Sequence, residues 1–308
     1  MPHDPVLLEE TLAFLGPRPG LFLDATVGDG GHAEAMLLAA DGLRLLANDR
    51  DPDALAFSRA RLARFGARVT FVHGTFGELA AAHAGMGAEP LAGALFDLGL
   101  SSRQIDEPAR GMSYRNDGPL DLRMDTSHGE TLAERMESVG EEELAHVLRE
   151  HGDVGPARRL ARALVAAHRE GTLAGTRQLA AITARVLRDD RPAAVAPVFQ
   201  ALRIWVNDEM ADLESALNWL PEAMADGGVV VTLSYHSGED RRVKRALRGS
   251  ARTASRRLPP PASGAFPGGD PGPWEELTRK VVVPAEPEQR RNPRARSARL
   301  RAFRREPR

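Results

Sequence analysis

Leu21-Phe-Leu-Asp24-Ala-Thr26-Val-Gly28-Asp-Gly30-Gly31-His32 is the stretch from which the rest of the chain is read. Its first four residues form a short apolar strand pattern, the glycines break it, and a helix is predicted from about His32 to Ala40. A Gly-rich turn between a strand and a helix lets backbone approach a ligand at the helix N-terminus. In a nucleotide-type site of this kind the second strand ends in a carboxylate about 20 residues later, where it accepts hydrogen bonds from ribose hydroxyls. Leu43–Ala47 reads as that strand, and Asp49 closes it 21 residues after Gly28.

Outward from this core, Asp51-Pro52 opens a helix that runs to about Phe65. Val69–His73 and Leu91–Asp97 are a third and a fourth strand. Short apolar strands separated by helices predict a parallel, doubly wound α/β sheet. After Asp97 the pattern changes. Residues 105–197 show no strand, and helices are expected at about 141–150, 156–170 and 176–188, which makes this stretch an inserted helical domain. Val198–Leu220 reads as one long amphipathic helix, Gly227–Leu233 as a fifth strand and 239–248 as a helix. The Pro/Gly-dominated stretch 258–273 is expected to be a loop, and Leu277–Val283 a late strand. Residues 292–304 are either a final edge strand or a basic arm. The expected division is thus 1–104, 105–197 and 198–308.

Composition narrows the chemistry. The chain has 308 residues and no cysteine. Disulfides, iron–sulfur clusters, Cys-ligated zinc and thiolate nucleophiles are excluded, and with them the usual cytosine C5-methyltransferases and zinc nucleobase deaminases. No apolar run approaches a membrane span, and the N-terminal MPHDPVLLEE lacks the features of a secretory signal, so a cytoplasmic location is expected. The net charge of −2 hides an asymmetry: residues 241–308 hold 19 Lys/Arg against 6 Asp/Glu, a net of +13, and residues 1–240 carry −15. Such a block suits a polyanion such as nucleic acid, or is a solvated basic tail.

The turn also bears on the ligand. A pyrophosphate wants a helix N-terminus free of negative charge, whereas here Asp29 lies inside the turn and Asp24 precedes it. Two carboxylates would repel a dinucleotide and suit the ammonium and sulfonium of S-adenosylmethionine. The rival reading is a nicotinamide-dependent oxidoreductase on a similar sheet. Phe76, after the third strand, either lies against an adenine ring or packs in the core. Asp97 ends the fourth strand at the edge where open α/β sheets bind ligands.

The segments His3–Glu10, Gly28–His32, Asn48–Pro52, Phe96–Ser102, Arg110–Tyr114, Asp117–Asp125, Phe199–Asn207, Ser234–Ser237 and Asn292–Ser297 together resemble the bacterial small-subunit rRNA (cytosine-N4)-methyltransferases. They occur in family order over nearly the whole chain, and the strings DGPLDLRMD and NPRARS are rare. The resemblance implies a class I, Rossmann-like methyltransferase sheet with an all-helical insertion. It implies S-adenosyl-L-methionine as cofactor, and N4-methylation of a cytosine in the decoding region of 16S rRNA on the small ribosomal subunit. It implies cofactor contacts from Gly30, Gly31, His32, Asp49 (ribose), Phe76 (adenine), Asp97 and Gln104. Val27, Asp29 and Tyr235 depart from the commoner family pattern, which has Phe, often Arg or Lys, and Phe at these positions.

A cytosine amine is delocalised into its ring, so an acceptor near it is needed to favour the pyramidal, nucleophilic form. Asp97 is the candidate, with nearby carbonyls as the alternative. Tyr235 and His236 are candidate catalytic residues that stack on or orient a base extruded from its stack; core packing and helix capping are the bland alternatives. His3 is a weaker candidate. Asp117, Asp121, Arg123 and Asp125 are either a substrate-side loop or an internal ion-pair cluster, with the second favoured, and no metal is assigned. Arg158, Arg159, Arg162 and the basic tail are candidate phosphate contacts. A non-catalytic RNA-binding assembly factor on the same fold is the remaining alternative.

Overall fold

The computed structural model describes residues 5–248 and 273–307; His3 and all but the last residue of the expected 258–273 loop lie outside them. The chain divides into two compact units, Met1–Gly99 with Ala211–Arg308, and Leu100–Met210.

The first unit holds a seven-stranded sheet in the order β3-β2-β1-β4-β5-β7-β6. Its strands are β1 (Gly20–Asp24), β2 (Leu43–Asp49), β3 (Val69–His73), β4 (Leu91–Asp97), β5 (Met224–Ser234), β6 (Trp274–Glu276) and β7 (Arg299–Arg305). The first five run parallel, and β7 is antiparallel to both its neighbours. Alternate residues of each central strand enter different cores. Phe22, Leu45, Leu95 and Val231 pack on one face, and Leu23, Leu46, Phe96 and Val230 on the other. This two-sided burial is why these strands read as continuous apolar runs. Gly93 interrupts β4 because a Cβ there would run into the ring of Phe22. The helices α1 (Leu8–Leu15), α2 (Gly31–Ala39), α3 (Pro52–Leu62), α4 (Leu79–Gly85), α12 (Ser237–Arg248) and α13 (Glu286–Arg291) belong to this unit, as does nearly all of α11 (Glu209–Ala223).

The second unit is helical, with no strand: α5 (Ser102–Asp106), α6 (Leu132–Ser138), α7 (Glu141–Gly152), α8 (Ala157–Arg169), α9 (Thr176–Leu187) and α10 (Pro192–Val206). Leu144, Leu148, Leu160, Leu164, Leu179 and Leu202 are among its core residues.

Three expectations are corrected. Val198–Leu220 is not one helix: α10 ends at Val206, Asp208 has φ 49°, and α11 (Glu209–Ala223) begins anew. Buried Asn207 explains the break. Its Oδ1 accepts from Met124 N at 2.7 Å, and its Nδ2 donates to Leu122 O at 2.7 Å and Arg203 O at 2.9 Å. Arg203 then grips Glu209 through two buried bonds of 2.7 and 2.8 Å. These tertiary bonds outcompete helix propagation, and α10 packs on α7 and α9 inside the helical unit. The compact units are bounded at 99/100 and 210/211, near the expected divisions at 104/105 and 197/198.

The late strand lies at Trp274–Glu276, not Leu277–Val283, of which Val282 alone bridges to Leu300. The C-terminal segment is neither edge nor arm, because β7 sits between β5 and β6. Part of its charge is held internally: buried Arg301 donates to Asp240 at 2.6 Å and to Glu276 at 3.2 Å, and Arg305 donates to Pro221 O at 3.2 Å.

Asn207→Ala would leave a buried N–H and two carbonyls without their partner. The expected result is a loss of about 2–4 kcal/mol in stability of the helical unit, measured as a lower urea midpoint. An unchanged midpoint would mean that the break at 207–208 does not depend on this side chain.

Candidate functional site

The parallel strands deliver their carboxyl ends to one edge of the sheet. β1 brings Asp24 there, and the turn to α2 follows, with Gly28 at φ 51° and Gly30 at φ 79°, backbone that favours glycine. The turn is fixed from the next strand. Gly28 N donates to Oδ2 of Asp49 at 2.8 Å, and Asp51 N donates to Oδ1 at 2.9 Å. The spacing in the sequence thus corresponds to a direct bond between the two motif residues. Burial pushes the Asp49 carboxyl up to about 6, against the pull of these two backbone bonds.

Asp24 is more strongly perturbed. Its Oδ1 accepts from Thr26 N at 3.2 Å, while its Oδ2 is buried with no hydrogen-bond partner among the described residues. Burial, reinforced by the charges of Asp97 and Asp49 and opposed by the Thr26 bond, raises this carboxyl to about 8. Asp97 is held on several sides. Its N donates to Thr26 Oγ1 at 2.7 Å, its Oδ1 accepts from the Tyr235 hydroxyl at 2.8 Å, and its Oδ2 lies 3.7 Å from His32 Nδ1. His32 Nε2 is 3.0 Å from Val6 O. A carbonyl only accepts, so Nε2 carries a proton. Burial and the Asp97 charge push the Tyr235 hydroxyl well above its ordinary value, so it remains a donor.

Gly30, Gly31, His32, Asp49, Phe76, Asp97 and Tyr235 are all brought to this edge by β1 to β5 and the turns after them. Phe76 starts a short turn after β3, and its half-buried ring meets Phe96 edge-on at 5.5 Å. Two residues that the sequence alone does not single out position these turns. Asp212 on α11 accepts from Phe76 N at 2.9 Å and Gly77 N at 2.7 Å. Buried Asn48 donates to Ala25 O at 3.0 Å and Gly74 O at 3.1 Å, tying the turns after β1 and β3 together. A polar residue at a strand end is a signal for Asn48; Asp212, 136 residues from Phe76, offers none.

The contacts of His236 are those of a helix cap. Its Nδ1 accepts from Gly238 N at 3.1 Å at the start of α12, and Glu239 reciprocates by accepting from His236 N at 3.2 Å. Gln104 lies buried in the helical unit, where it and Ser101 form a capping box on α5. Asp121 and Arg123 pair through bonds of 2.7 and 2.8 Å, and Asp117 pairs with Arg177 at 3.5 Å. Among the described residues no three His, Asp or Glu gather as a metal site.

The chemistry of the donor set fits S-adenosylmethionine. A buried orphan carboxylate oxygen beside two further carboxylates repels a pyrophosphate and attracts a cation. The Asp49 oxygens, each with one backbone donor, retain acceptor capacity for ribose hydroxyls.

Comparison with known proteins agrees with this geometry. Residues 1–306 match the MraW methylase family. A protein of Sorangium cellulosum named "Ribosomal RNA small subunit methyltransferase H" is 45% identical over 98% of this chain and 90% of its own. Its namesake in Anaeromyxobacter sp. (strain K) is 45% identical over 97% and 96%, and that of Methylobacterium nodulans 41% over 98% and 89%. Among solved structures, a putative methyltransferase from Streptococcus mutans in complex with SAH covers 99% of both chains at 12% identity and a TM-score of 0.43, too remote to bear on the chemistry. The nicotinamide alternative falls on these matches. At this identity and coverage the chain belongs to the MraW methylase family and is an S-adenosyl-L-methionine-dependent methyltransferase.

Proposed function

We propose that this protein methylates the exocyclic N4 amine of a cytosine in the decoding region of 16S rRNA, on the small ribosomal subunit, in the cytoplasm. The observation that carries the reading is the convergence of Asp24, Asp49 and Asp97 beside the Gly-rich turn, a seat for a cationic nucleoside donor. The small-subunit rRNA target follows the names of the relatives. The cytosine amine follows the family resemblance, and the lack of cysteine agrees with it, since attack through ring carbon calls for a thiolate.

Bound S-adenosylmethionine supplies an electrophilic methyl group on a sulfonium. Asp49 accepts from the ribose hydroxyls while holding Gly28, Phe76 lies against the adenine, and Gly30, Gly31 and His32 line the methionine end. Asp24 ionises beside the cation. Asp97, oriented by Tyr235, accepts a hydrogen bond from the target amine and favours its pyramidal form. Gln104 is kept as a cofactor contact on the resemblance. His236 is kept as the cap that sets Tyr235 in place.

Tritiated methyl transfer to unmodified small subunits, followed by nucleoside analysis, is expected to place the label in N4-methylcytidine. Label in any other nucleoside would overturn the reading, and binding of subunits with no transfer would make the chain an assembly factor. Asp97→Ala should lower the single-turnover rate by about 100-fold or more with cofactor bound. Tyr235→Phe should lower it several-fold and leave the affinity for cofactor close to that of the native protein.

Cofactor affinity should also depend on pH. A cation favours the ionised form of Asp24 and Asp49, so binding releases protons below their free-state values of about 8 and about 6. Affinity is expected to rise as pH goes from 6 to 8 by up to about tenfold per unit, almost all of it through Asp24, because Asp49 is ionised over most of that range. For the free protein the sign is opposite. Asp24 is raised above its unfolded value of 3.8, so the folded state holds the extra proton and stability falls as pH rises from about 4 to about 8. Asp24→Asn should therefore stabilise the free protein at pH 8, flatten the pH dependence of cofactor binding, and reduce the preference for S-adenosylmethionine over the uncharged thioether product. Calorimetric titration across pH tests all three, and a variant with native pH dependence would remove Asp24 from this role.

A further inference from the structure

In the helical unit, α8 and α9 pack side by side, and neither contains an Asp or Glu. Arg158, Arg162 and Arg169 follow one another along α8 at helical spacing, so they share its outward face. Arg177, Arg185 and the C-cap Arg188 do the same on α9, and all six are exposed. Arg159 donates to Val186 O at 2.5 Å, which sets the start of α8 beside the end of α9. The two helices therefore run antiparallel, each with its own arginine stripe turned outward. Arg162 pairs with Glu141 at 3.2 Å and Arg177 with Asp117 at 3.5 Å, both on the surface, where such pairs are weak. Arg158, Arg169, Arg185 and Arg188 have no acidic side chain in ion-pair reach among the described residues. Arg188 moreover sits at φ 57°, a helix-end conformation in which glycine is the usual residue.

The C-terminal basic block differs. Arg242, Arg248, Arg301 and Arg304 are engaged with Glu214, Glu276, Asp240 and Glu275. These four charges are neutralised inside their own unit.

We propose that the α8–α9 arginine face binds the sugar-phosphate backbone of RNA. The guanidinium fork matches a phosphate in two bonds, and an acid-free pair of helices presents that fork repeatedly. The face positions RNA and does not read its sequence. The inference rests on the rRNA reading above.

The test uses the full chain and unmodified small subunits or naked 16S rRNA, with binding followed by anisotropy from about 50 to 200 mM salt. Arg158→Gln/Arg169→Gln/Arg185→Gln together should weaken binding to both by about tenfold or more at low salt. The slope of log affinity against log salt should shrink by about 2, near 0.7–0.9 for each phosphate that is no longer neutralised. The same three positions as Lys should recover most of the affinity. Arg188→Gly, which suits the local backbone, should weaken binding while raising the melting temperature, which separates an effect on RNA from an effect on folding. Cofactor affinity should not change in any of them. Native affinity and slope in the triple Gln variant would overturn the proposal. So would a loss confined to intact subunits with naked RNA bound normally, since the face would then meet an acidic protein. Native chain that binds RNA with the expected slope but transfers no methyl would overturn the function proposed above and leave this inference standing.

Discussion

Burial of three carboxyl groups at the ends of three adjacent strands is the constraint around which the site of the first unit is built, and for Asp24 the charges of Asp97 and Asp49 add to it. The sheet order sets β1 between β2 and β4, so Asp24 has Asp49 on one side and Asp97 on the other. Much of their hydrogen bonding comes from the turns they serve: Gly28 and Asp51 for Asp49, Thr26 for Asp24. Each of these bonds shapes the Gly-rich loop as well as satisfying an oxygen. The arrangement lowers the stability of the free protein in exchange for a preformed seat for positive charge, which is where departures from good local design are expected in an enzyme.

What could be read from the sequence follows the range over which each interaction acts. The strands β1 to β4 and the place of Asp49 at the end of the second strand are set by local pattern and by a repeated strand–helix–strand unit, so spacing alone reveals them; the bond from Gly28 to Asp49 is added by the structure. The helices α7 to α9 show the same local periodicity. The features that escaped are held by distant partners. Asn207 ends α10 by bonding Leu122 and Met124, more than 80 residues earlier. Arg301 is buried in β7 because Asp240, 61 residues away, neutralises it. A segment dense in arginine looks like a solvated arm until such partners are known.

Tyr235 shows how a departure from a family pattern gains meaning from its surroundings. Where Phe is the commoner residue, this chain adds a hydroxyl, and it falls 2.8 Å from Asp97. The ring alone would fill the same space. The hydroxyl supplies a donor to a carboxylate that already has acidic neighbours, and thereby offsets part of the strain of keeping it ionised. The His236 cap and Glu239, which accepts from Tyr235 N at 2.7 Å, fix the backbone from which that hydroxyl projects. The strand end thus contributes through Tyr235 to the chemistry and through His236 to the geometry.

Charge counts along the chain and charge in space lead to different surfaces. A count by blocks singles out residues 241–308, with their net of +13, and passes over α8 and α9, because the acidic first turn of α7 lies just before them. Folding narrows the difference. β7 carries Arg301 and Arg304 to Asp240, Glu276 and Glu275, whereas the periodicity of α8 and α9 turns their arginines outward from two helices that contain no acid themselves. Long-range attraction for a polyanion depends on charges left exposed and unneutralised. By that criterion the helical unit, although it is not the most basic part of the sequence, presents a surface fit for a polyanion in addition to the exposed arginines of the C-terminal block.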